Sequence, residues 1–548
     1  MDPERHNNRV LQVETRSEIR QGEYRKEIGV FGATFFGASA ILGSAILFIP
    51  VTVLSAAGPE GIVAWVIGAV MMLVIGLIYT ELGTIMPRTG GVGTYPQVSN
   101  GPLTGIFNGW GAFLGYVLAP VSEVVAMVEY LSFFFPVLYN LKTSQLTIYG
   151  ELLTILIVFL FFLGNYFGVR YLNQANSFLT WLKLLSLAFI GVFFLALYFH
   201  PSNFTALPGG FAPYGGSGLL FAVATTVYAY AGFRQPVDYA EEVKDHKRTI
   251  PIAISLSIIV SFILYTLLSV DFIGSVNWSY LGISPGDWAS LSSLTFPLPA
   301  MAFGVGLAVM AYFIFFTSIH SSASSSLIYS GGAARVLANI SENRYLPPFF
   351  ARLGKRGVPY YSVIAVLLIS AFYTFLVPVF ISVALVFVDA SLVSYGPAAV
   401  SLMVFRRHVK APGDSFRLPA AQVLAPIGFV VGSYLLYWTG FKYLIIAIPS
   451  VLVGALLFIY HARKTKVDAE DIRGGIWYPV YLAAILALSY FLSISPGPSN
   501  LGGIDVVPFP YNIIVFTAVV LVFYAVGVIS GNAYMAKKGI RAEGPPST

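Results

Sequence analysis

The sequence of 548 residues contains no cysteine and few charged residues. The absence of cysteine excludes disulfide bonds, thiol catalysis and thiolate metal ligands. Charged residues make up only 10% of the chain, whereas a typical soluble domain has roughly 25%. Hydrophobic residues make up 57%, and the mean hydropathy is +0.77. This balance excludes a soluble globular protein and predicts an integral membrane protein.

Other features are also missing, and each absence removes a class of function. The segment 14–27, ETRSEIRQGEYRKE, is a hydrophilic tail before an uncut apolar span, which is not the pattern of a secretory signal peptide. The sequence has no His/Glu spacing typical of a metal site and no nucleophile elbow, so we expect no enzyme activity, no metal and no cofactor. We also find no nucleic-acid-binding fold, so the net charge of +6 needs another explanation.

Long apolar segments dominate what remains. A helix that crosses a bilayer needs about 20 apolar residues, and by that criterion the chain has about fourteen spans. The segments are too long to be the short alternating strands of an outer-membrane barrel. The predicted spans are residues 28–57, 60–86, 100–136, 149–169, 172–199, 217–241, 251–275, 299–330, 358–378, 380–405, 421–441, 443–461, 476–494 and 511–530.

The distribution of Lys and Arg tests this count of spans. With the N-terminus placed in the cytoplasm, 27 of the 31 Lys and Arg residues fall on cytoplasmic segments. Only Lys142 and Lys442 fall on outer loops, and Lys183 and Arg234 fall within spans. Because the cytoplasmic loops of membrane proteins are enriched in Lys and Arg, this bias predicts a multi-pass protein of the cell membrane with both termini cytoplasmic. It also explains the positive net charge.

The first span contains residues that weaken its own helix. The stretch 37–50 reads GASAILGSAILFIP, and Gly and Ser are poor helix formers. A break at Gly43, Ser44 and Ala45 would free main-chain N–H groups, which within a membrane must be received by protein or by a water-filled cavity. Close packing of small residues against another helix is the alternative, and this segment alone does not decide between the two.

The sixth span carries a second interruption. It reads ATTVYAYAGFRQPVDYAEEVKDHKRTIP, with Gly232 in the middle of the span and Pro236 four residues later. Interrupted helices five spans apart are typical of transporters that consist of two inverted repeats and bind their substrate near the membrane midplane. The second interruption therefore favours a break over close packing in the first span.

Four segments, in order along the chain, carry a resemblance to a known family. They are ASAILGSAILFIP in the first span, YTELGTIMPRTGGVGTY after the second, YAGFRQPVDYAEEVKDHKRTIPIAI in and after the sixth, and ARVLANISENRYLPPFFARLGKRGVP after the eighth. Their order, their spacing and their predicted cytoplasmic loops match the amino acid–polyamine–organocation transporter superfamily. Over about the first 400 residues the chain resembles that superfamily.

The resemblance implies an all-α polytopic membrane protein. It implies two inverted five-helix repeats with broken first and sixth spans, followed by about four accessory transmembrane helices. The expected divisions are a cytoplasmic tail (1–27), a ten-helix core (28–405, with repeats 28–199 and 217–405), accessory helices (406–530) and a cytoplasmic C-terminal tail (531–548). Many members of the superfamily have twelve spans. The last two spans of this chain would be an addition to them, as in the cationic amino acid transporters.

The resemblance also implies a substrate site at the two breaks. Freed N–H groups of Gly43, Ser44 and Ala45 suit the carboxylate of an amino acid, because the end of a half-helix is positive there. Ala45 replaces the second Gly that is usual in the family. Carbonyl groups near the sixth-span break suit the ammonium group, and Tyr228 matches an aromatic gate, although packing is the alternative for any intramembrane Tyr. The remaining expected substrate-binding residues are Ile41, Ala229, Ala231, Gly232 and Tyr329.

Lys183 interrupts the apolar fifth span. A charge at the bilayer centre costs about 2.5–3.5 kcal/mol, so it requires a function or an escape to the membrane surface. In several members of the superfamily a lysine ammonium stands where sodium-coupled relatives bind sodium, and Lys183 matches that lysine. Its expected neighbours in proton coupling are Ser324 and Ser325 of the eighth span. The alternative is a lysine that snorkels to the membrane surface.

Further charges lie within predicted spans, among them Glu129 of the third span, and three of them are assigned to gating or to charge pairing. Glu123 lies in the third span, Arg234 in the sixth and Asp389 in the tenth. Arg234 is a departure from the family, where several members have Glu. It could pair with Asp238 four residues later, with Glu123 or with Asp389, or it could bind an acidic substrate side chain.

These observations lead to one principal hypothesis of function and two alternatives. The principal hypothesis is a secondary active transporter that moves amino acids across the cytoplasmic membrane by alternating access, coupled to protons. The first alternative is a proton-independent exchanger of amino acids or polyamines. The second is a nutrient sensor on a transporter scaffold. The expected partners are an amino acid or amine, protons and the lipid bilayer.

Overall fold

The computed structural model describes residues 22–140, 142–143, 145–376, 390–492, 502–508 and 510–539. Within these ranges the chain is almost entirely helical. Its strands in the described part are Tyr139–Asn140 and Gln145–Leu146, which pair antiparallel with Tyr139 opposite Leu146. The first 21 residues, Asp389 and residues 540–548 lie outside the described residues, and so do parts of the predicted tails and of the tenth span.

The helices follow one another with short connections, and we number them in chain order. They are α1 (Val30–Ile41), α2 (Ile49–Ala57), α3 (Gly61–Ile85), α4 (Thr94–Asn100), α5 (Pro102–Leu131), α6 (Ile148–Tyr166), α7 (Val169–Leu197), α8 (Gly215–Ala229), α9 (Gln235–Asp238), α10 (His246–Ser275), α11 (Trp278–Leu281), α12 (Pro297–Gly304), α13 (Ala308–Glu342), α14 (Tyr360–Leu376), α15 (Tyr395–His408), α16 (Ala421–Thr439), α17 (Phe441–Leu452), α18 (Gly454–Lys464), α19 (Ala469–Gly475), α20 (Trp477–Phe491) and α21 (Tyr511–Lys538).

The lengths and compositions of these helices are those of a membrane protein. Among the described residues, nine helices are long and apolar enough to cross a membrane, and α1, α8 and α14 are shorter apolar helices. The chain is therefore an all-α polytopic membrane protein, as predicted. The first and sixth spans are both interrupted, since α1 and α2 are separate helices and so are α8 and α9. Both predicted breaks are confirmed.

Two helices form the centre of the molecule. The 35-residue helix α13 packs against α5, α1, α7 and α14. Its buried face consists largely of Ser, Ala and Gly between Ser318 and Ala338. Small side chains let helix backbones approach closely in a membrane, where packing and hydrogen bonds hold helices together. Helix α5 is correspondingly buried along nearly its whole length.

The predicted eighth span has wrong boundaries. Residues 299–330 were expected to form one span, but α12 ends at Gly304 and α13 runs from Ala308 to Glu342. Gly306, at φ +79°, turns the chain between them. Helix α13 continues beyond 330 because the charge of Arg335 is paired inside the protein and does not need to reach solvent. The predicted span 443–461 lies within Phe441–Lys464, one of the nine candidates, although the helix is interrupted at Val453 between α17 and α18.

Contacts between helix ends define one face of the molecule. Ile28, before α1, pairs with the segment that leads into α10. Glu81, near the end of α3, binds Arg406 near the end of α15 and the main chain just before α16. His408 contacts Asn532 of α21. We call this the basic face because it carries many of the Lys and Arg residues, including Lys244, Lys247, Arg406, Arg407 and Lys537.

Candidate functional site

The first break is a sharp change of main-chain direction after α1. Leu42 adopts φ −88°, ψ 57° and Gly43 adopts φ −80°, ψ −150°, neither of which continues a helix. A short 3₁₀ turn, Ser44–Leu47, follows before α2 begins at Ile49 with Pro50 in its first turn. Because Pro lacks an N–H, it fits the start of a helix better than its interior. The local sequence thus accounts for both the break and the restart.

Hydroxyl groups from two neighbouring helices donate hydrogen bonds to the carbonyl groups that the break frees. The Tyr265 hydroxyl of α10 donates to the Ile41 carbonyl at 3.0 Å. The Ser321 hydroxyl of α13 donates to the Leu42 carbonyl at 2.8 Å and lies 3.2 Å from that of Gly43. A freed carbonyl without a partner would be costly in a membrane, so these two hydroxyls stabilise the broken conformation.

A carboxylate of the protein itself accepts a hydrogen bond from a freed N–H group of the first break. The main-chain N–H of Ser44 donates to Glu123 Oε2 of α5 at 2.7 Å. A side chain on Gly43 would collide with the Glu123 carboxylate. Both Ser44 and Glu123 are buried. The group predicted to bind a substrate carboxylate therefore binds an internal carboxylate in this structure.

The second break lies directly against the first span. Helix α8 ends at Ala229, and α9 begins at Gln235. Between them Gly232 has φ +111°, which side chains rarely tolerate, and an added Cβ would lie 2.7 Å from the Tyr329 hydroxyl and 2.9 Å from the Ala40 Cβ. Gly232 is required both for the turn and for this close approach. The expected substrate residues Gly232 and Tyr329 are thus brought together.

The carbonyl groups expected to bind an ammonium group have partners within the protein. The Tyr228 carbonyl accepts from Ala231 N–H at 3.0 Å. The Ala229 carbonyl lies 3.4 Å from the Tyr265 hydroxyl, which thereby reaches both breaks. Tyr228 is half-buried, and Ala231 is buried. An ammonium group would have to replace or share these internal donors.

Lys183 is completely buried between α7 and α1. Its Nζ donates to the Ser39 carbonyl at 3.2 Å, one turn before the first break. The Ser39 hydroxyl in turn donates to Ser324 of α13 at 3.0 Å. Lys183 is also near enough to Glu123 for their charges to interact. Snorkelling does not describe this side chain, because it points to a neighbouring helix and is inaccessible to solvent.

The two serines named with Lys183 serve different partners. Ser324 meets the first span through Ser39 and also donates to the Ser321 carbonyl at 3.1 Å. Ser325 lies beside the Glu123 carboxylate. Ser321, Ser324 and Ser325 therefore line the first break from the side of α13, with Glu123 beside them.

Arg234 is enclosed two residues after Gly232. Its Nε forms an ion pair with Asp238 at 3.2 Å, and its Nη1 donates to the Ser394 hydroxyl at 2.6 Å. Its guanidinium carbon lies 5.1 Å from the ring centre of Tyr116, whose hydroxyl donates to the same Asp238 carboxylate. The remaining amino group, Nη2, has no hydrogen-bond partner among the described residues. The partner of Arg234 is therefore Asp238.

The structure separates the three charges assigned to gating or pairing. Glu123 binds the first break, Arg234 binds Asp238, and Asp389 lies outside the described residues. The proposed pair of Arg234 with Glu123 is not formed. Tyr265 and Ser321 are not among the site residues that the sequence predicts. Both are polar residues in apolar spans, but that signal does not distinguish a packing residue from a donor to a broken helix.

A second buried ion pair lies nearer the basic face. Arg335 of α13 contacts both carboxylate oxygens of Glu242, with Nη2 2.8 Å from Oε2. The guanidinium group also lies over the ring of Tyr239, 4.1 Å from its centre. Just outside this pair, the N–H groups of Glu27 and Ile28 both donate to the Glu242 carbonyl at 3.0 Å. The segment before α1 is thereby attached to the end of the sixth span.

Comparisons with known proteins agree on one family. The profile of the amino acid permease family matches residues 28–523, which extends well past the first 400 residues that carry the sequence resemblance. The chain is 31% identical over 522 residues to the glutamate/serine transporter AimA of Bacillus subtilis, covering 93% of this chain and 94% of that protein. It is 30% identical over 486 residues to the aspartate-proton symporter of the same organism (87% and 92%). It is 24% identical over 455 residues to the branched-chain amino acid permease BcaP, also of that organism (80% and 94%).

Proposed function

The chain belongs to the amino acid permease family, and from this premise we propose that it is a proton-coupled transporter of acidic amino acids that works by alternating access. The family consists of transporters and not of enzymes. Two relatives that match nearly the whole chain are a glutamate/serine transporter and an aspartate-proton symporter. The bias of Lys and Arg supports the cell membrane as its location, with both termini cytoplasmic. We infer that residues 28–405 form the transport core and residues 406–530 the accessory helices.

The contact between Glu123 and Ser44 N–H carries this proposal. A carboxylate of a bound amino acid and the Glu123 carboxylate require the same freed N–H group at the positive end of a half-helix. An ionised Glu123 therefore competes with the substrate. A protonated Glu123 is a weaker acceptor, because hydrogen bonds to charged groups are the stronger ones. Binding of a proton to Glu123 thus favours binding of a substrate carboxylate.

Lys183 requires one carboxylate charge beside it, supplied either by Glu123 or by the substrate. Its ammonium group donates to the Ser39 carbonyl and interacts with the Glu123 charge. When Glu123 takes up a proton, Lys183 loses the opposite charge that stabilises it inside the protein. The carboxylate of the incoming substrate restores that charge. A proton and a substrate are consequently bound together and released together, which is symport.

The energy available to such a cycle is sufficient for accumulation. One pH unit corresponds to about 1.4 kcal/mol for each proton. A membrane potential of 100 mV adds about 2.3 kcal/mol for each charge moved. A glutamate or aspartate that enters with one proton carries no net charge, so the pH gradient alone drives that step, and an additional proton would be needed to use the potential.

Arg234 supports the choice of acidic substrates. It is a buried cation two residues after Gly232, and its Nη2 group is unpartnered within the described part of the chain. A second carboxylate could accept from that group without displacing Asp238. Hydrogen bonds to charged groups contribute about 1.5–3 kcal/mol, which is about tenfold to 150-fold in affinity.

Uptake into proteoliposomes tests the proposed coupling. Wild-type protein should accumulate radiolabelled glutamate when the outside is acidic, and a protonophore should abolish the accumulation. Glu123→Gln, a neutral imitation of the protonated acid, should retain exchange of internal for external glutamate but lose gradient-driven accumulation. Its substrate affinity should also stop depending on pH. Glu129→Gln is the matched control, because Glu129 is a buried carboxylate on the same helix whose side chain lies beside Tyr139.

Each alternative function has its own result in this experiment. Exchange without any effect of the pH gradient on the wild-type protein would indicate a proton-independent exchanger. Binding of amino acids without movement would indicate a sensor. Accumulation by Glu123→Gln that equals the wild type would contradict the role of Glu123.

The substrate class is tested separately with Arg234→Gln. This variant should lose affinity for glutamate and aspartate by about tenfold or more, the lower end of the range for one charged hydrogen bond, while retaining that for serine. An equal loss for all three substrates would assign Arg234 to structural pairing with Asp238 and would overturn acidic selectivity.

A further inference from the structure

A cavity of about 320 Å³ lies at the basic face, between α15, the last helix of the core, and two accessory helices. It is formed by α15, α16 and α21, away from both breaks. Its lining residues are Met403, Arg406 and Arg407 of α15, Gln422 of α16, and Val528 and Asn532 of α21. Two guanidinium groups and two amide groups in one cavity provide hydrogen-bond donors for an anion.

The two arginines have different roles. Arg406 is fixed, since its Nε and Nη2 donate to the two carboxylate oxygens of Glu81 at 2.8 and 2.6 Å. Its charge is thereby compensated. Arg407 is exposed, and its side chain forms no hydrogen bond or ion pair with any other residue that the structure describes. The positive charge available to a ligand in this cavity is therefore that of Arg407.

Polarity changes along the cavity in the direction of the membrane normal. Met403 and Val528 lie about one helical turn from the polar residues Arg407 and Asn532 on their respective helices, on the side toward the membrane interior. His408 Nε2 lies 3.1 Å from Asn532 Oδ1, which leaves the amide nitrogen as a donor. The cavity is thus cationic and hydrogen-bonding at the basic face and apolar below it.

Exposed apolar side chains continue from the cavity along both flanking helices. Val423 and Ile427 of α16 are 58% and 44% exposed, and Val526 and Ile529 of α21 are 42% and 68% exposed. Only 17% of the most apolar part of α21 is buried inside the protein. These residues provide a surface for hydrocarbon chains directly below a site for an anion.

We propose that this cavity binds the phosphate headgroup of an anionic glycerophospholipid, whose acyl chains lie along α16 and α21. Arg407, Gln422 and Asn532 hold the phosphate, and Met403 and Val528 contact the glycerol and the first methylene groups. Basic pockets between transmembrane helices at a charged face are suited to such headgroups. Because Arg407 lies on α15, the last helix of the core, and Gln422 and Asn532 lie on accessory helices, a lipid in this position joins the accessory helices to the core. This gives the last span a structural purpose.

Native mass spectrometry of the full chain, purified in detergent, tests the proposal with phosphatidylglycerol as the anionic lipid and phosphatidylcholine as the zwitterionic one. We expect tighter binding of phosphatidylglycerol. Arg407→Gln should weaken it about fivefold, the effect of one basic residue at a membrane surface. Arg463→Gln is the matched control, because Arg463 is an exposed arginine in the last turn of α18 and does not line the cavity. Arg407→Glu should weaken binding further.

Three results would overturn the proposal. The first is equal binding of the two lipids. The second is an equal loss in the Arg407 and Arg463 variants, since that would indicate nonspecific attraction to charge. The third concerns a free phosphate. If inorganic phosphate or glycerol phosphate at millimolar concentration binds with the same dependence on Arg407 and displaces phosphatidylglycerol, the site recognises a soluble anion and the acyl chains contribute nothing.

Discussion

Replacing Tyr265 by Phe removes a single hydroxyl group that reaches both breaks. In the wild type this hydroxyl donates to the Ile41 carbonyl at 3.0 Å and lies 3.4 Å from that of Ala229. The ring itself should stay in place, because it stacks on Trp65 with 4.5 Å between ring centres. The substitution therefore deprives the break carbonyls of a donor while leaving the packing intact.

The magnitude follows from the burial of these carbonyls. A buried acceptor that loses its partner costs about 1–3 kcal/mol. If the loss falls on the conformation that binds substrate, affinity decreases by about fivefold to 150-fold. If water enters to replace the hydroxyl, the loss lies at the lower end of that range, because a bridging water is nearly as good a partner as a direct donor.

Equilibrium binding of radiolabelled glutamate to purified protein measures this effect. Tyr230→Phe is the matched control, since Tyr230 lies at the second break but its hydroxyl lies 3.4 Å from the carbonyl of Trp65 in the continuous helix α3. Wild-type affinity in Tyr265→Phe would refute the view that this hydroxyl holds the breaks. An equal loss in Tyr230→Phe would do so as well, because the effect would then come from a general disturbance of the aromatic cluster.

Three further substitutions probe the same architecture. Ser321→Ala removes the donor to the Leu42 and Gly43 carbonyls and should lower the free energy of unfolding by about 1–3 kcal/mol. Ser318→Ala affects a bond within its own helix and should lower it far less. Gly232→Ala places a side chain at φ +111°, where the backbone strain alone is about 1–2 kcal/mol. The transport rate of the Gly232→Ala protein that is inserted in the membrane should therefore fall. A wild-type transport rate would contradict the close approach at Gly232. Arg335→Ala leaves Glu242 buried without its partner and should destabilise the protein by about 3–5 kcal/mol, measured as a lowered melting temperature that the double replacement Arg335→Met with Glu242→Leu partly restores.

The sequence predicts the breaks better than it predicts what surrounds them. The breaks at Gly43 and Gly232 can be predicted because Gly, Ser and Pro weaken helices. In an apolar span such a break leaves main-chain groups that lipid cannot satisfy, so these residues indicate a special site. Lys183 is visible for the same reason. Local composition is sufficient to predict each of these features, and the predicted breaks are present at those positions.

The partners of these groups could not be predicted in the same way. Arg234 had three possible partners, Asp238, Glu123 and Asp389, and the choice depends on how helices are rotated about their axes. That rotation places Glu123 toward Ser44 and Arg234 toward Asp238. Tyr265 was missed because a tyrosine in an apolar span is usually a packing residue, and only the folded arrangement brings its hydroxyl to a broken helix.

The length of α13 shows a further limit of reading spans from hydropathy. Arg335 was expected to lie in a loop, since a charge usually ends an apolar segment. In the folded chain Glu242 and the ring of Tyr239 compensate that charge, and the helix continues to Glu342. A charge therefore marks the end of a span only when no partner awaits it inside the protein.

The attachment of the segment before α1 to the end of the sixth span has a mechanical consequence. It includes three main-chain hydrogen bonds: Glu27 and Ile28 donate to the Glu242 carbonyl, and Lys244 donates to the Ile28 carbonyl at 2.8 Å. The half-helices α1 and α9 are thus coupled at the basic face, so that a tilt of one moves the other. Most side-chain replacements leave these main-chain bonds intact, whereas proline at position 28 or 244 would weaken the coupling by removing one of the three donors.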